Sequence, residues 1–175
     1  MLILPLLKLP KKNTLVVIAG PTAIGKTSLS IELAKYFNTE IISADSRQVF
    51  KEMAIGTAKP SPEEMKNIPH YFIDHLSIHT PYSAGKYEKE VLELLPKLFT
   101  KNKLVILTGG SGLFIDAVCN GFDEFEEIDQ SIRNQLNEEF EQKGLEWLQG
   151  QVKEKDPAYF DRVDRNNPQR LLRAL

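Results

Sequence analysis

Apolar runs alternating with polar, glycine-rich breaks set the first expectations for this chain. Leu15-Val16-Val17-Ile18-Ala19 is short, continuous and β-branched, so a strand covered on both faces is expected over 14–19. After a glycine-rich break, Leu29, Leu33 and Phe37 recur at i, i+4 and i+8, the stripe of an amphipathic helix. A second strand is expected over 40–44, apolar at Ile41 and Ile42 and ending at Asp45-Ser46-Arg47-Gln48. Ile55-Gly56-Thr57-Ala58-Lys59-Pro60 reads as a loop. Ser61-Pro62-Glu63-Glu64 reads as a helix start, with serine as N-cap, proline at the first position and acids in the first turn. His70–Leu76 reads as a short strand. Tyr87, Val91, Leu94, Leu95 and Leu98 keep helical spacing within 83–99. Leu104–Leu107 is another fully apolar strand, followed by Thr108-Gly109-Gly110-Ser111-Gly112, a helix over 113–118 and a stop at Gly121. Strands alternating with helices predict an α/β domain with a parallel sheet, its ligands at the carboxyl ends of the strands.

The pattern changes after Gly121. Asp123 to Asp129 is acidic and reads as a solvated linker. Ile132, Leu136 and Phe140 mark a helix from Ser131, with shorter helical pieces at 145–152 and 157–163. The last piece, Pro168–Leu175, carries Leu171, Leu172 and Leu175 on a face that wants a partner helix. That face is expected to be exposed and to drive self-association. The reading is an α/β core over 1–121 and a helical appendage over 122–175, the chain stopping in mid-helix.

Composition narrows the classes. Of 175 residues, 42% are hydrophobic and 26% charged, ordinary for a globular protein. The formal net charge of −2 gives no global attraction for nucleic acid, so any such contact must use a local patch. The single cysteine, Cys119, excludes an internal disulfide, fits a reducing, cytoplasmic setting and is expected to pack against the core. Met1 to Leu9 is apolar but interrupted by Pro5 and Lys8, too short for a bilayer and without the marks of a signal peptide. A loose tail and no membrane partner are expected.

The chemistry starts in the first break. Gly20-Pro21-Thr22-Ala23-Ile24-Gly25-Lys26-Thr27 fits G-x-x-x-x-G-K-[ST], and it lies between a strand and a helix as that loop requires. Its glycines let backbone N–H groups converge on an anion, and the helix N-terminus adds its dipole. Lys26 supplies a point charge and the Thr27 hydroxyl a ligand for Mg²⁺. The fold class expected is therefore a P-loop NTPase-like parallel sheet flanked by helices, with the helical appendage. Such loops usually act with an acid ending a nearby apolar strand. Here Leu104–Leu107 runs into Thr108-Gly109-Gly110, and the acid is instead Asp45. Asp45 could ligate the metal, act as a base, or bond its own backbone in a turn. Ser111 could cap the next helix or face a ligand. His70, His75 and His79 form no metal-binding pattern, and Trp147 reads as a packing residue.

In order along the chain, several stretches resemble the tRNA dimethylallyltransferase (tRNA isopentenyltransferase) family, bacterial type. They are Gly20–Thr27, Asp45-Ser46-Arg47-Gln48-Val49-Phe50, Ile55-Gly56-Thr57-Ala58-Lys59-Pro60, Ile68-Pro69-His70, Tyr82-Ser83-Ala84, Gly109-Gly110-Ser111-Gly112-Leu113-Phe114 and Asn166-Asn167-Pro168-Gln169-Arg170-Leu171-Leu172-Arg173-Ala174-Leu175. Ser111 stands where the family usually has threonine, Phe50 and Phe114 where tyrosine is common, and Asn167 where aspartate is usual. The resemblance implies transfer of a dimethylallyl group from dimethylallyl diphosphate to N6 of the adenine 3′ of the anticodon, with release of pyrophosphate. It implies a diphosphate on Gly20, Thr22, Ala23, Ile24, Gly25, Lys26 and Thr27, and Mg²⁺ on Thr27. It gives catalytic roles to Asp45 and Ser111. Contacts with the tRNA anticodon stem-loop would come from Asp45, Ser46, Arg47, Gln48, Ser111, Arg133, Gln169, Arg170, Leu171, Leu172 and Arg173. It further implies a family that continues past Leu175, an incomplete tRNA-binding insertion over 122–175, and a monomer when full length. Two other classes share the loop: a P-loop small-molecule or nucleoside kinase, and a nucleotide-binding, ATP-dependent switch.

Overall fold

Strands that are apolar at every position need cover on both faces, and the computed structural model provides it for Ile41–Ser43 and Leu104–Gly109, whereas Thr14–Ala19, at the sheet edge, has no fully buried residue and leaves Val17 exposed, contrary to expectation. The structure describes residues 10–121 and 129–175. The chain divides into two units between Asp123 and Glu124. The expected tail over 1–9 and the acidic run as far as residue 128 lie outside the described residues.

The first unit runs β1 (Thr14–Ala19), α1 (Lys26–Phe37), β2 (Ile41–Ser43), α2 (Pro62–Met65), β3 (His70–Tyr71), α3 (Ala84–Phe99), β4 (Leu104–Gly109) and α4 (Gly112–Asn120). The four strands form one sheet in the order β1-β4-β2-β3, and every pair is parallel. Thr14 pairs with Leu104 and Ala19 with Gly109, so β1 and β4 end level. Successive β4 side chains go to opposite faces. Leu104 and Ile106 pack with Ile41 of β2 and with Ile31 and Ala34 of α1. Val105 and Leu107 pack with Ile42, with Tyr87, Val91 and Leu95 of α3, and with Phe114 and Ala117 of α4. The unbroken hydrophobicity of this strand is thus a consequence of helices on both sides.

Tyr87 is the central wedge of the second face. Its ring stacks on Phe114 at 4.4 Å and meets Phe72 edge-on at 5.0 Å. Such pairs add ~1 kcal/mol each beyond area burial. Burial pushes the Tyr87 hydroxyl well above its usual pKa, so it stays protonated and donates to the Ser43 carbonyl at 2.9 Å. That bond anchors the end of β2, two residues before Asp45. Ser61 begins α2 as expected: its hydroxyl accepts from the Glu64 amide and the Glu64 carboxylate accepts from the Ser61 amide.

Two expectations fail here. The strand over His70–Leu76 stops after Tyr71, because Phe72 and Asp74 take left-handed φ values of 62° and 51°. The chain turns instead to run beside the segment after β2, where the amides of Asp74 and His75 donate to Gln48 and Val49 carbonyls. Cys119 is exposed, not packed in the core. On α4 the inward positions are Phe114 and Ala117, and Cys119 lies two residues on, about 200° around the helix.

The second unit holds α5 (Gln130–Lys155), α6 (Pro157–Phe160) and α7 (Pro168–Ala174). Gly144, at φ 79° and ψ −174°, breaks α5 into two helical stretches. Leu148, Val152, Phe160 and Leu171 form its core, with Trp147, Leu172 and Leu175 partly buried against them. The exposed leucine face expected on α7 is therefore absent. Leu171 is 0% exposed, since α5 and α6 supply the apolar cover that the short helix needs. No helix among the described residues is long and apolar enough to cross a membrane.

Candidate functional site

The turns at the carboxyl ends of β1, β2 and β4 surround a cleft of about 630 Å³. The turn after β1 ends at Gly25, whose φ of 95° is left-handed and suits glycine. No side chain caps α1, so its first N–H groups remain for an anion. Lys26 curls back and donates to the Pro21 carbonyl at 2.6 Å. Ser30, fully buried one turn on, donates to the Lys26 and Thr27 carbonyls and fixes the start of the helix. Thr22, Ala23, Gly25, Lys26 and Thr27 line the cleft. Gly20 and Ile24 complete the loop outside its wall, and Ile24 is exposed.

Asp45 reaches the same cleft from the end of β2. Its Oδ1 accepts from the amides of Arg47 at 2.9 Å and Gln48 at 3.2 Å, the turn geometry that sequence left open. Those bonds fix the carboxylate's direction. Ser111 stands at the N-cap of α4 yet makes no side-chain cap bond. Its Oγ instead accepts from the Ser46 amide at 2.8 Å and donates to the Ser46 hydroxyl at 3.1 Å. The turn after β4 thereby clips the turn after β2, a role that neither expectation for Ser111 contained. Gly109 allows the approach: a Cβ there would lie 2.0 Å from the Ala44 carbonyl oxygen. Ser46 and Arg47 are exposed beside the cleft.

Gln48 lines the cleft but is already engaged. Its amide nitrogen donates to the carbonyls of Thr57 at 3.0 Å and Ala58 at 3.1 Å, a hold on the neighbouring loop. The cleft also takes Thr57, Lys59, Lys66 and His70, which sequence reasoning missed as site residues. The signal for Thr57, Lys59 and His70 was present in the Ile-Gly-Thr-Ala-Lys-Pro and Ile-Pro-His stretches, and Lys66 lay in neither. His70 donates from Nδ1 to the Ile68 carbonyl at 2.7 Å in its neutral form, and burial pulls its pKa down. Oxygen donors of Thr27 and Asp45 in one cleft suit a hard cation. No cluster of three or more His, Cys, Asp or Glu that could hold a metal occurs among the described residues.

In the second unit, Gln169, Arg170 and Arg173 are exposed on α7 and Arg133 is exposed on α5. Arg170 and Arg173 line a notch of about 510 Å³ with Tyr159, Arg162 and Val163. Leu172 is half-buried, and the buried Leu171 presents no side chain to a ligand.

Residues 48–175 match the family model described as IPP transferase. The chain is 52% identical over 163 residues to a tRNA dimethylallyltransferase of Christiangramia forsetii, covering 93% of this chain and 54% of that one. It is 54% identical over 157 residues to one from Flavobacterium johnsoniae, covering 90% and 51%. The chain thus spans about half the length of the curated relatives it matches. Among solved structures, it is similar to the full-length tRNA isopentenylpyrophosphate transferase of Bacillus halodurans, with a TM-score of 0.63, 36% identity and coverage of 93% and 54%. It is also similar to a eukaryotic dimethylallyltransferase acting on tRNA, with a TM-score of 0.72, 26% identity and coverage of 93% and 40%. With the family model matched over well more than half of its length, this chain belongs to the IPP transferase family.

Proposed function

We propose that this chain carries the diphosphate site and part of the RNA-binding surface of a tRNA dimethylallyltransferase. The observation that carries the reading is the shared cleft of Lys26, Thr27 and Asp45, beside a β4 that ends without an acid. In the reaction, N6 of the adenine next to the anticodon attacks C1 of dimethylallyl diphosphate. The C1–O bond breaks and pyrophosphate leaves. The amides at the α1 N-terminus and Lys26 stabilise the charge that develops on the leaving oxygens. Thr27 would hold Mg²⁺, which supplies further charge neutralisation when bound. Asp45 accepts the N6 proton, its carboxylate aimed by the Arg47 and Gln48 amides. The adenine leaves the anticodon-loop stack to reach the cleft. Ser46, Arg47 and Ser111 lie where such a base would enter. Arg133, Gln169, Arg170, Leu172 and Arg173 would meet RNA phosphates and riboses, in a bacterial cytoplasm. A kinase reading shares the loop, but the missing acid at the end of β4 and the relatives' names favour transfer to tRNA.

The test uses a chimaera that adds the remaining half of the Flavobacterium johnsoniae relative. With labelled dimethylallyl diphosphate it should prenylate an anticodon stem-loop in single-turnover conditions. Asp45→Asn should preserve diphosphate affinity and slow transfer by about 10²–10⁴-fold, the usual size of general-base effects. A rate within a few-fold of the unaltered chimaera would make Asp45 structural.

A further inference from the structure

The Thr57–Pro60 wall of the cleft is tied down by side chains to which the transfer assigns no reacting role. Lys59 is the main one. Its side chain is 8% exposed, and its ammonium donates to the Phe50 carbonyl at 2.8 Å and to Asp74 Oδ1 at 2.6 Å. Phe50 lies in the segment after β2 and Asp74 in the segment after β3, so one buried cation fastens three stretches of chain. Gln48 closes the other side through the Thr57 and Ala58 carbonyls. Between these ties Ala58 holds a left-handed φ of 50°, a conformation that alanine keeps only when its surroundings constrain it.

We propose that Lys59 is a positioning residue that sets the apolar part of the cleft and binds no phosphate itself. Its charge is met by Asp74 Oδ1, whereas the Lys26 ammonium donates to a backbone carbonyl. The wall it holds brings Ala58 and Pro60 into the cleft that also contains Ile31 and Ile73. The proposal rests on the transferase reading: these apolar atoms receive the hydrocarbon end of a prenyl diphosphate while the loop after β1 receives the charged end. Lys59 then governs discrimination between a prenyl diphosphate and bare pyrophosphate.

The experiment compares this chain with Lys59→Met, Lys59→Arg, Asp74→Asn and the Lys59→Met/Asp74→Asn double variant. Dimethylallyl diphosphate and inorganic pyrophosphate are titrated calorimetrically, and hydrogen exchange is followed over 55–60. Lys59→Met should weaken dimethylallyl diphosphate about tenfold, the scale of one lost charge-assisted tether, and leave pyrophosphate within about twofold. Asp74→Asn should act in the same direction, the double variant should be no worse than Lys59→Met, and Lys59→Arg should recover most of the loss. Exchange over 55–60 should rise in Lys59→Met. Equal losses for both ligands would make Lys59 a phosphate ligand and overturn the proposal. Unchanged exchange, beside normal binding by the unaltered chain, would overturn the tether alone. An unaltered chain that binds pyrophosphate and not dimethylallyl diphosphate would overturn the transferase reading, and with it the apolar assignment.

Discussion

β1 and β4 are neighbouring parallel strands that end level, and each runs through a glycine-rich turn into a helix. The two turns nearly touch, since a Cβ on Gly110 would lie 3.5 Å from the Gly20 carbonyl oxygen. Their chemistry differs all the same. Neither helix start has a side-chain cap, but after β1 the glycine gives a left-handed residue, and a lysine and a threonine face the cleft. After β4 the glycine gives close approach to Ala44, and the serine at the helix start bonds Ser46. In the proposed function one turn receives an anion, while the other holds a neighbouring turn in place. A glycine-rich strand–helix junction is therefore not a phosphate site by composition alone; the groups at its helix start decide.

The sharpest way to break this comparison is Lys26→Ala. Diphosphate affinity should fall by about 10- to 100-fold, the scale of a lost charge-assisted bond, with little change in the thermal melt because Lys26 touches only a loop carbonyl. A melt that collapses with the binding would make Lys26 structural. Gly109→Ala should do the reverse. Overpacking against the Ala44 carbonyl costs about 1–3 kcal/mol or more, so the melting temperature should drop by several degrees. An unaffected melt would mean that β2 and β4 can part there without penalty. Ser111→Ala should cost about 1 kcal/mol, one hydrogen-bonded tether, and Ser111→Thr should restore it. If Ser111→Ala leaves both stability and Asp45-dependent transfer intact, the clip between the turns is idle.

The smallest effect concerns His70. Its folded pKa lies below the unfolded value of about 6.5, so folding excludes a proton that the unfolded chain takes up. Stability should be unaffected at pH 8 and should decline as pH falls through the unfolded pKa, until the folded ring also protonates. His70→Asn should flatten that part of the pH–stability curve, read by denaturant melts between pH 8 and 5.

The sequence made the β1 loop readable because its signal is local: a fixed spacing between an apolar run and a helical stripe. The parallel sheet was readable for the same reason, through continuous apolar strands. What escaped was long-range. The pairing of Ser111 with Ser46 spans 65 residues and leaves no periodic trace. The Lys59–Asp74 tie and the grip of Gln48 on Thr57 and Ala58 likewise depend on tertiary proximity. β3 was overcalled because Phe72 takes a left-handed φ that no strand propensity registers. The α7 leucines were misread because α6, too short to carry a period, brings Phe160 into the core that covers Leu171.

The central claim is that the turn after β1 holds the diphosphate of a prenyl donor and not a nucleotide. Titrating this chain with dimethylallyl diphosphate and magnesium, alone and in excess ATP, tests it most directly. The account predicts binding that Lys26→Ala weakens by about 10- to 100-fold, that Ser111→Ala leaves nearly unchanged, and that ATP does not displace. Tight ATP binding that displaces dimethylallyl diphosphate would contradict it and return the cleft to a kinase or a nucleotide-dependent switch.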